Sequence, residues 1–376
     1  YALEEMKKAG YTLSETDADG NPWNFSSVIK KFSSHITDGG YILFKTYEDH
    51  GQLNTATNLA TINGWLPVAC DNEEAVINLG LKKSADISED NINLKYLKNF
   101  YKENKEHFRN DSLVHLYYYA NGMRDFAIQQ NIFVIYIEDS DFTGRLFRDK
   151  VMKNLKPASI IFGWCQYEFK FTESASRLGH HVIPSDHSYN LSILSSFNAT
   201  DEKFKEPFSG QVELDPNKHY VAIVYSDGDN LQWIQNGFDE FHTWQSYGID
   251  TPISWTFAPS ATELSDIDVK RTLENSENAT FITGPSGGGY ARIMNMNSKE
   301  LEAFSDYTAS IMLESGLGIM TLLDEIKYEA TFDSSMQKRL SYFSRYDNIK
   351  GGILQLDPDS YAGGGGRVYF SDDKPF

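Results

Sequence analysis

The chain has 376 residues, 40% of them hydrophobic and 23% charged, with 53 Asp and Glu against 34 Lys and Arg and a formal net charge of −19. That length is enough for two domains with a sizeable core, and the composition excludes a disordered polypeptide. The longest basic run is a lysine pair such as Lys7–Lys8, so nucleic acid and anionic membrane are poor partners, and no apolar run reaches the roughly 18 residues of a spanning helix.

In chain order, residues 26–36 space apolar side chains at helical intervals and YILFK (41–45) reads as a short buried strand. Segments 94–108 and 113–129 have the pattern of amphipathic helices, while 132–139 (IFVIYIED) and 158–164 (ASIIFGW) are β-rich. This alternation predicts a layered α/β region with a largely parallel sheet. Periodicity lapses over 198–218, a polar stretch with two prolines, which predicts the connection between an N-terminal α/β region (1–205) and a C-terminal domain (206–376).

The second half has a different rhythm. The segments 220–230 (YVAIVYSDGDN), 253–259, 281–290 (FITGPSGGGY), 318–325 (GIMTLLDE) and 351–360 read as apolar strands that end in Asp, Glu, Ser or Gly, with helical segments such as 301–316 between them. This is the layout of a (β/α) barrel, whose strand C-termini carry the active site. Five units fall short of a full barrel, so the native polypeptide is expected to continue past Phe376.

Several motifs point away from familiar chemistries. GPSGGG (284–289) lacks the Lys of a phosphate-binding P-loop and the last glycine of a dinucleotide fingerprint. It matches a nucleophile elbow with Ser286 at its centre, but no histidine follows His242 to complete a triad. What is left is a turn or a loop of N–H groups open to an anion or a sugar hydroxyl. Cys70 and Cys165 have no CxxC companion, and His180, His181 and His187 lack metal-ligand spacing; structural histidines are expected. Aromatic residues make up 14% of the chain, consistent first with an aromatic core and second with a ring-lined glycan cleft.

The motifs TATNLATINGWLPV (55–68), GMRDFAIQ (122–129), FGWCQYE (162–168), SDHSYNLS (185–192), YVAIVYSDGDNLQW (220–233), FAPS (257–260) and GPSGGGY (284–290) together resemble the GxGYxYP family, a group labelled as glycoside hydrolases. Gly287, Gly289 and Tyr290 match the name-giving motif, whereas Arg292 and Ile293 stand where the family has Tyr and Pro. The resemblance implies an N-terminal α/β region, a barrel-like C-terminal domain and an extracytoplasmic or secreted setting. It carries no established substrate or catalytic pair.

The chemistry therefore has to come from the residues. Glycoside hydrolysis uses two carboxylates flanking the scissile bond. Asp227 and Asp229 end the first barrel strand, Asp324, Glu325 and Asp357 end later ones, and Glu263 follows the second. The expected base or nucleophile is Asp227 or Asp229, and the expected acid Glu325 or Asp324. Trp233, Trp255 and Tyr290 are candidate sugar platforms, with Asn230, Glu263, Ser286 and Asp357 as further candidates for substrate binding. A polysaccharide or glycan is the expected partner, and no cofactor or metal is expected. Two alternatives stand beside this reading: a non-catalytic glycan-binding or cell-surface protein on the same fold, and a metal-dependent carbohydrate deacetylase, whose strand-end acidic motif SDGDN resembles but whose downstream histidine pair is missing.

Overall fold

The computed structural model describes residues 1–116, 119–199, 202–204, 213–237, 253–276, 279–325, 330–357, 362–363 and 368–376; at 325, 330–333, 356–357 and 362–363 the description is of the backbone alone. The chain begins with α1 (Ala2–Lys8), α2 (Phe25–Phe32), β1 (Gly40–Phe44), α3 (His50–Asn63), β2 (Leu66–Ala69), α4 (Glu73–Asn78) and β3 (Lys82–Asp86). The predicted strand at 41–45 is β1, buried at every position because it is the middle strand of a parallel sheet of order β2-β1-β3. Its alternate residues feed two cores: Ile42 and Phe44 pack on α3, and Tyr41 and Leu43 on α2 and α4.

A second unit contains α5 (Leu94–Asn104), β4 (Ser112–His115), α6 (Arg124–Gln130), β5 (Val134–Ile135), α7 (Phe142–Lys153), β6 (Ile160–Gly163), α8 (Glu168–Arg177), β7 (His181–Ile183) and α9 (Leu191–Leu194). Its four strands form a parallel sheet of order β5-β4-β6-β7, which reverses direction at β4 as doubly wound sheets do. The N-terminal half thus holds two parallel sheets where the alternation pattern predicts one. The helix predicted over 113–129 is corrected to strand β4, a loop and the short α6. Leu113 and Val114 are fully buried in two different cores, on opposite faces of the strand. A strand buried on both faces is apolar without alternation, and periodicity alone cannot tell it from a helix.

The two N-terminal units are joined through α3. The Asn58 side chain donates to the Val134 carbonyl and accepts from the Val134 N–H, both at 2.8 Å, so an amide completes the hydrogen bonding that edge strand β5 would otherwise leave open. Arg124 of α6 reaches back to Asn54 Oδ1 at 2.7 Å.

The third unit comprises β8 (Val224–Tyr225), α10 (Leu231–Asn236), β9 (Ile253–Phe257), α11 (Ala261–Leu264), α12 (Asp266–Glu274), β10 (Ala279–Pro285), α13 (Ser298–Ser315), β11 (Ile319–Glu325), α14 (Ala330–Ser344), β12 (Gly351–Asp357), β13 (Ala362–Gly363) and the hairpin β14 (Phe370–Ser371) and β15 (Lys374–Pro375). Strands β8 to β12 are parallel neighbours in chain order, and β13 closes the edge antiparallel to β12. Sequential order without reversal is the arrangement of a barrel wall, and this sheet is a curled half-barrel. The connection predicted over 198–218 lies partly outside the described residues; within it, Phe204 is buried against Phe257 and Phe281, each at 4.8 Å between ring centroids.

The second and third units share a core. Val114, Phe162 and Ile183 of the doubly wound sheet pack with Leu231 and Ile234 of α10 and with Trp255 and Phe257 of the half-barrel. The sheets also meet through backbone. Val182 of β7 and Tyr290, in the loop after β10, exchange N–H···O bonds of 2.9 and 2.8 Å.

The α3 joint is testable. Asn58→Ala leaves a buried N–H and a buried C=O of Val134 without partners, a loss of about 2–4 kcal/mol. Urea unfolding should show a lower midpoint for the variant; an unchanged midpoint would mean that the amide clamp is not what holds α3 to β5.

Candidate active site at the shared rim of two sheets

The C-terminal ends of the strands in both sheets open onto one cavity of about 240 Å³. Trp164 and Glu168 come from the end of β6 and the first turn of α8, Pro184 from the end of β7, and Ser226, Asp227, Asp229 and Asn230 from the end of β8. Pro285, Tyr290, Leu323 and Gln355 complete it from β10 to β12. Three carboxylates line this cavity, and among the described residues no Lys or Arg does.

The turn after β8 is forced into shape. Asp227 has a left-handed backbone with φ of 72°, which Asp adopts more readily than most residues. A Cβ on Gly228 would lie 1.5 Å from the Thr256 carbonyl oxygen, so only glycine lets the turn press against β9. The Gly228 N–H donates to Thr256 Oγ1 at 2.9 Å. Asp229 is thereby laid over β10, where a Cβ on Gly284 would come within 2.3 Å of the Asp229 Cβ. Asn230 lines the cavity and also caps α10, accepting from the Trp233 N–H at 3.2 Å.

Asp227 is exposed and Asp229 half-buried. Burial, then the neighbouring Asp227 carboxylate and more weakly Glu168, push the Asp229 carboxyl up to about 7. A carboxyl so raised holds its proton in neutral water, as a general acid must. Glu168 is held differently: the Tyr290 hydroxyl donates to its Oε1 at 2.7 Å. Behind Tyr290 lies Arg292, buried, with its guanidinium 4.2 Å from the centre of the Phe169 ring and Nη2 3.4 Å from the Tyr290 hydroxyl. Trp164 and Tyr290 stack at 6.0 Å and 29° to form a ring wall. Trp164 is set from beneath by His115, whose Nε2 accepts from the Ile137 N–H and whose Nδ1 therefore donates to the Trp164 carbonyl. Burial, then Arg148, push His115 down to about 4, so the ring is neutral.

Several predicted residues lie elsewhere. Asp324 is buried on the side of β11 opposite to Leu323, accepting from the Met294 N–H at 2.7 Å; strand alternation turns it away when Leu323 faces the cavity. Trp233 and Trp255 belong to the shared core, Trp255 with its ring 4.8 Å from that of Tyr225. Ser286 is fully buried, its hydroxyl donating to the Ala291 carbonyl and accepting from the Leu323 N–H. The N–H groups of Ser286, Gly287, Gly288 and Tyr290 all bond within the protein, so the loop is not an open anion cradle. Glu263 sits exposed on α11 and does not line the cavity. Glu325 and Asp357 pair in register at the ends of β11 and β12, and their side chains lie outside the described residues.

The residues missed in the sequence are Glu168 and Trp164. Their signal was present: FGWCQYE places a Trp and an acid just after an apolar strand, but in the half of the chain that showed no barrel rhythm. Among the described residues no three His, Cys, Asp or Glu side chains are grouped to hold a metal ion, and no helix is long and apolar enough to cross a membrane.

Comparison with known proteins agrees with this architecture. Residues 217–376 match a family described as "GxGYxYP putative glycoside hydrolase C-terminal domain", and residues 116–196 match "GxGYxYP third domain". A crystal structure of a putative hydrolase from Bacteroides thetaiotaomicron VPI-5482 superposes with a TM-score of 0.84 at 24% identity, over 99% of this chain and 70% of that one. At that identity the likeness establishes the fold. No curated protein matches significantly.

The raised Asp229 has a consequence for stability. Its carboxyl holds a proton more tightly in the folded chain, at about 7, than in the unfolded chain, at about 3.9. Its contribution is therefore complete below about pH 4 and is lost as pH rises to about 7. Asp229→Asn should accordingly raise Tm at about pH 8, by about 1 °C for each kcal/mol relieved in a chain of this length, with a gain that shrinks toward about pH 5. Thermal unfolding at the two pH values checks the sign; a gain confined to the acid side would refute the raised carboxyl.

Proposed function

The chain belongs to the GxGYxYP family, and we propose that it is a glycosidase in which Asp229 is the general acid and Glu168 the anionic partner. The observation that carries this reading is the half-buried Asp229, raised to about 7 by burial and a like charge in a cavity that also contains Glu168. Two titratable groups in contrasting environments are how one site holds acid and base at the same pH. The roles differ from the sequence expectation, in which Asp229 was a base or nucleophile and the acid came from β11.

In this scheme Asp229 gives its proton to the glycosidic oxygen as the bond to the anomeric carbon breaks. Glu168, its Oε1 held by Tyr290, attacks that carbon or takes a proton from the water that does. Asp227 acts through its charge, keeping Asp229 protonated. The cavity volume and the Trp164–Tyr290 wall suit a single sugar ring, with polar edges toward the carboxylates and an apolar face on the rings. The family supports a carbohydrate substrate and an extracytoplasmic setting.

A panel of 4-methylumbelliferyl glycosides tests the proposal. With a cleaved member in hand, Asp229→Asn and Glu168→Gln should each reduce kcat by about 10²–10⁴-fold. The Asp229 variant should suffer least on the best leaving group, which needs no protonation. Activity should fall as pH rises past about 7, where Asp229 loses its proton. Binding of glycans without turnover by the wild type would favour the alternative, a non-catalytic glycan-binding protein; the departure at Arg292 and Ile293 from the family's name-giving motif and the short, half-barrel third unit are on its side.

A further inference from the structure

The chain is strongly acidic, but its charge is unevenly spread. Residues 94–156 carry eleven Lys and Arg against eight Asp and Glu, within a whole of net charge −19. Part of that excess converges on a groove between α5 and α7, a cavity of about 580 Å³. Lys98, Lys102 and Lys105 line one wall, spread over about 10 Å along the helix axis. Lys150 faces them from α7, and none of the ten lining residues is acidic. Surfaces ordinarily intersperse the two signs. Here Lys105 pairs with Glu106 at 3.4 Å, while Lys98, Lys102 and Lys150 have no ion-pair partner among the described residues. Four ammonium groups around one concavity repel one another, and an anion seated between them removes that repulsion.

We propose that the α5–α7 groove is a binding site for an acidic glycan chain, distinct from the carboxylate-lined cavity at the strand ends. Asn99 and Asn154 offer amides to hydroxyl groups along such a chain, and Leu146, 55% exposed, gives the groove an apolar surface. Single-stranded nucleic acid fits less well, because the aromatic side chains of the groove, Tyr101 and Phe147, are buried and provide no stacking platform. The groove extends along α7 from Thr143 in its first turn. That turn follows β5, whose C-terminal end belongs to the sheet that carries Trp164 and Glu168. A chain held there would approach the rim where the proposed chemistry occurs. The choice of a glycan as ligand rests on the carbohydrate reading above; the charge of the ligand does not.

The test measures binding, so it is independent of turnover. Oligogalacturonates and maltooligosaccharides of equal length are titrated calorimetrically into the intact chain at low salt. The acidic oligomer should bind and the neutral one should not, and binding should weaken about tenfold at high ionic strength. The double variant Lys98→Glu/Lys102→Glu should abolish the binding, and Lys150→Ala should reduce it, with Tm and any turnover of a small glycoside unchanged. Equal binding of neutral and acidic oligomers, or acidic binding that survives the charge reversal, would overturn the site. An acidic peptide or oligonucleotide of matched charge binding as tightly would overturn the glycan assignment.

Discussion

The two-way backbone pairing of Val182 with Tyr290 is the constraint on which the site depends. It ties the outer edge of the doubly wound sheet to the loop that leaves the half-barrel, so the C-terminal ends of both sheets open on the same side. An unpaired sheet edge is a liability, and here its covering has a further effect. With its backbone clamped, Tyr290 presents its hydroxyl to Glu168 of one sheet while its ring lines a cavity floored by the other. The same loop buries Ser286, which bridges the Ala291 carbonyl and the Leu323 N–H and so sets the neighbouring strand end.

Buried charge is treated differently in and out of the cavity. Beneath the rim, Asp139 pairs with Arg148 at 2.9 Å and accepts from the Cys165 thiol at 2.6 Å. Asp324 is answered by a backbone N–H. These are the partners that structural buried acids require. Asp229 has no lining cation among the described residues and lies beside two further carboxylates. An acid left in such surroundings is a destabilised group held at a concave surface, the pattern associated with functional sites.

Much of the architecture was legible from residue pattern. The buried strand YILFK, the β-rich runs at 132–139 and 158–164, and the five apolar segments of the second half all contain strands, because continuous apolar runs ended by polar residues suit parallel sheets covered on both faces. The failures have physical causes. The 113–129 segment misled because a strand buried on both faces imitates a helical pattern. Trp233 and Trp255 misled because large rings serve core packing as readily as sugar stacking. Asp324 misled because its place near a strand end does not reveal which face its side chain takes. The lysine groove was invisible as a basic run, since its members are assembled from α5 and α7 across some fifty residues.

What the sequence determined by itself was local: most of the strand positions, the acidic turn Asp227–Gly228–Asp229 after β8, and the glycines that let that turn lie against β9 and β10. These follow from short-range sterics and from hydrophobic pattern, both written in consecutive residues. Tertiary structure decided which carboxylates share a cavity. Glu168 and Asp229 are 61 positions apart and follow strands of different sheets. Their meeting depends on an edge pairing and a common core. The protonation of Asp229 depends in turn on the burial and the neighbouring charges that the meeting creates. Electrostatic character of this kind is a property of surroundings in space, and no stretch of chain carries it alone.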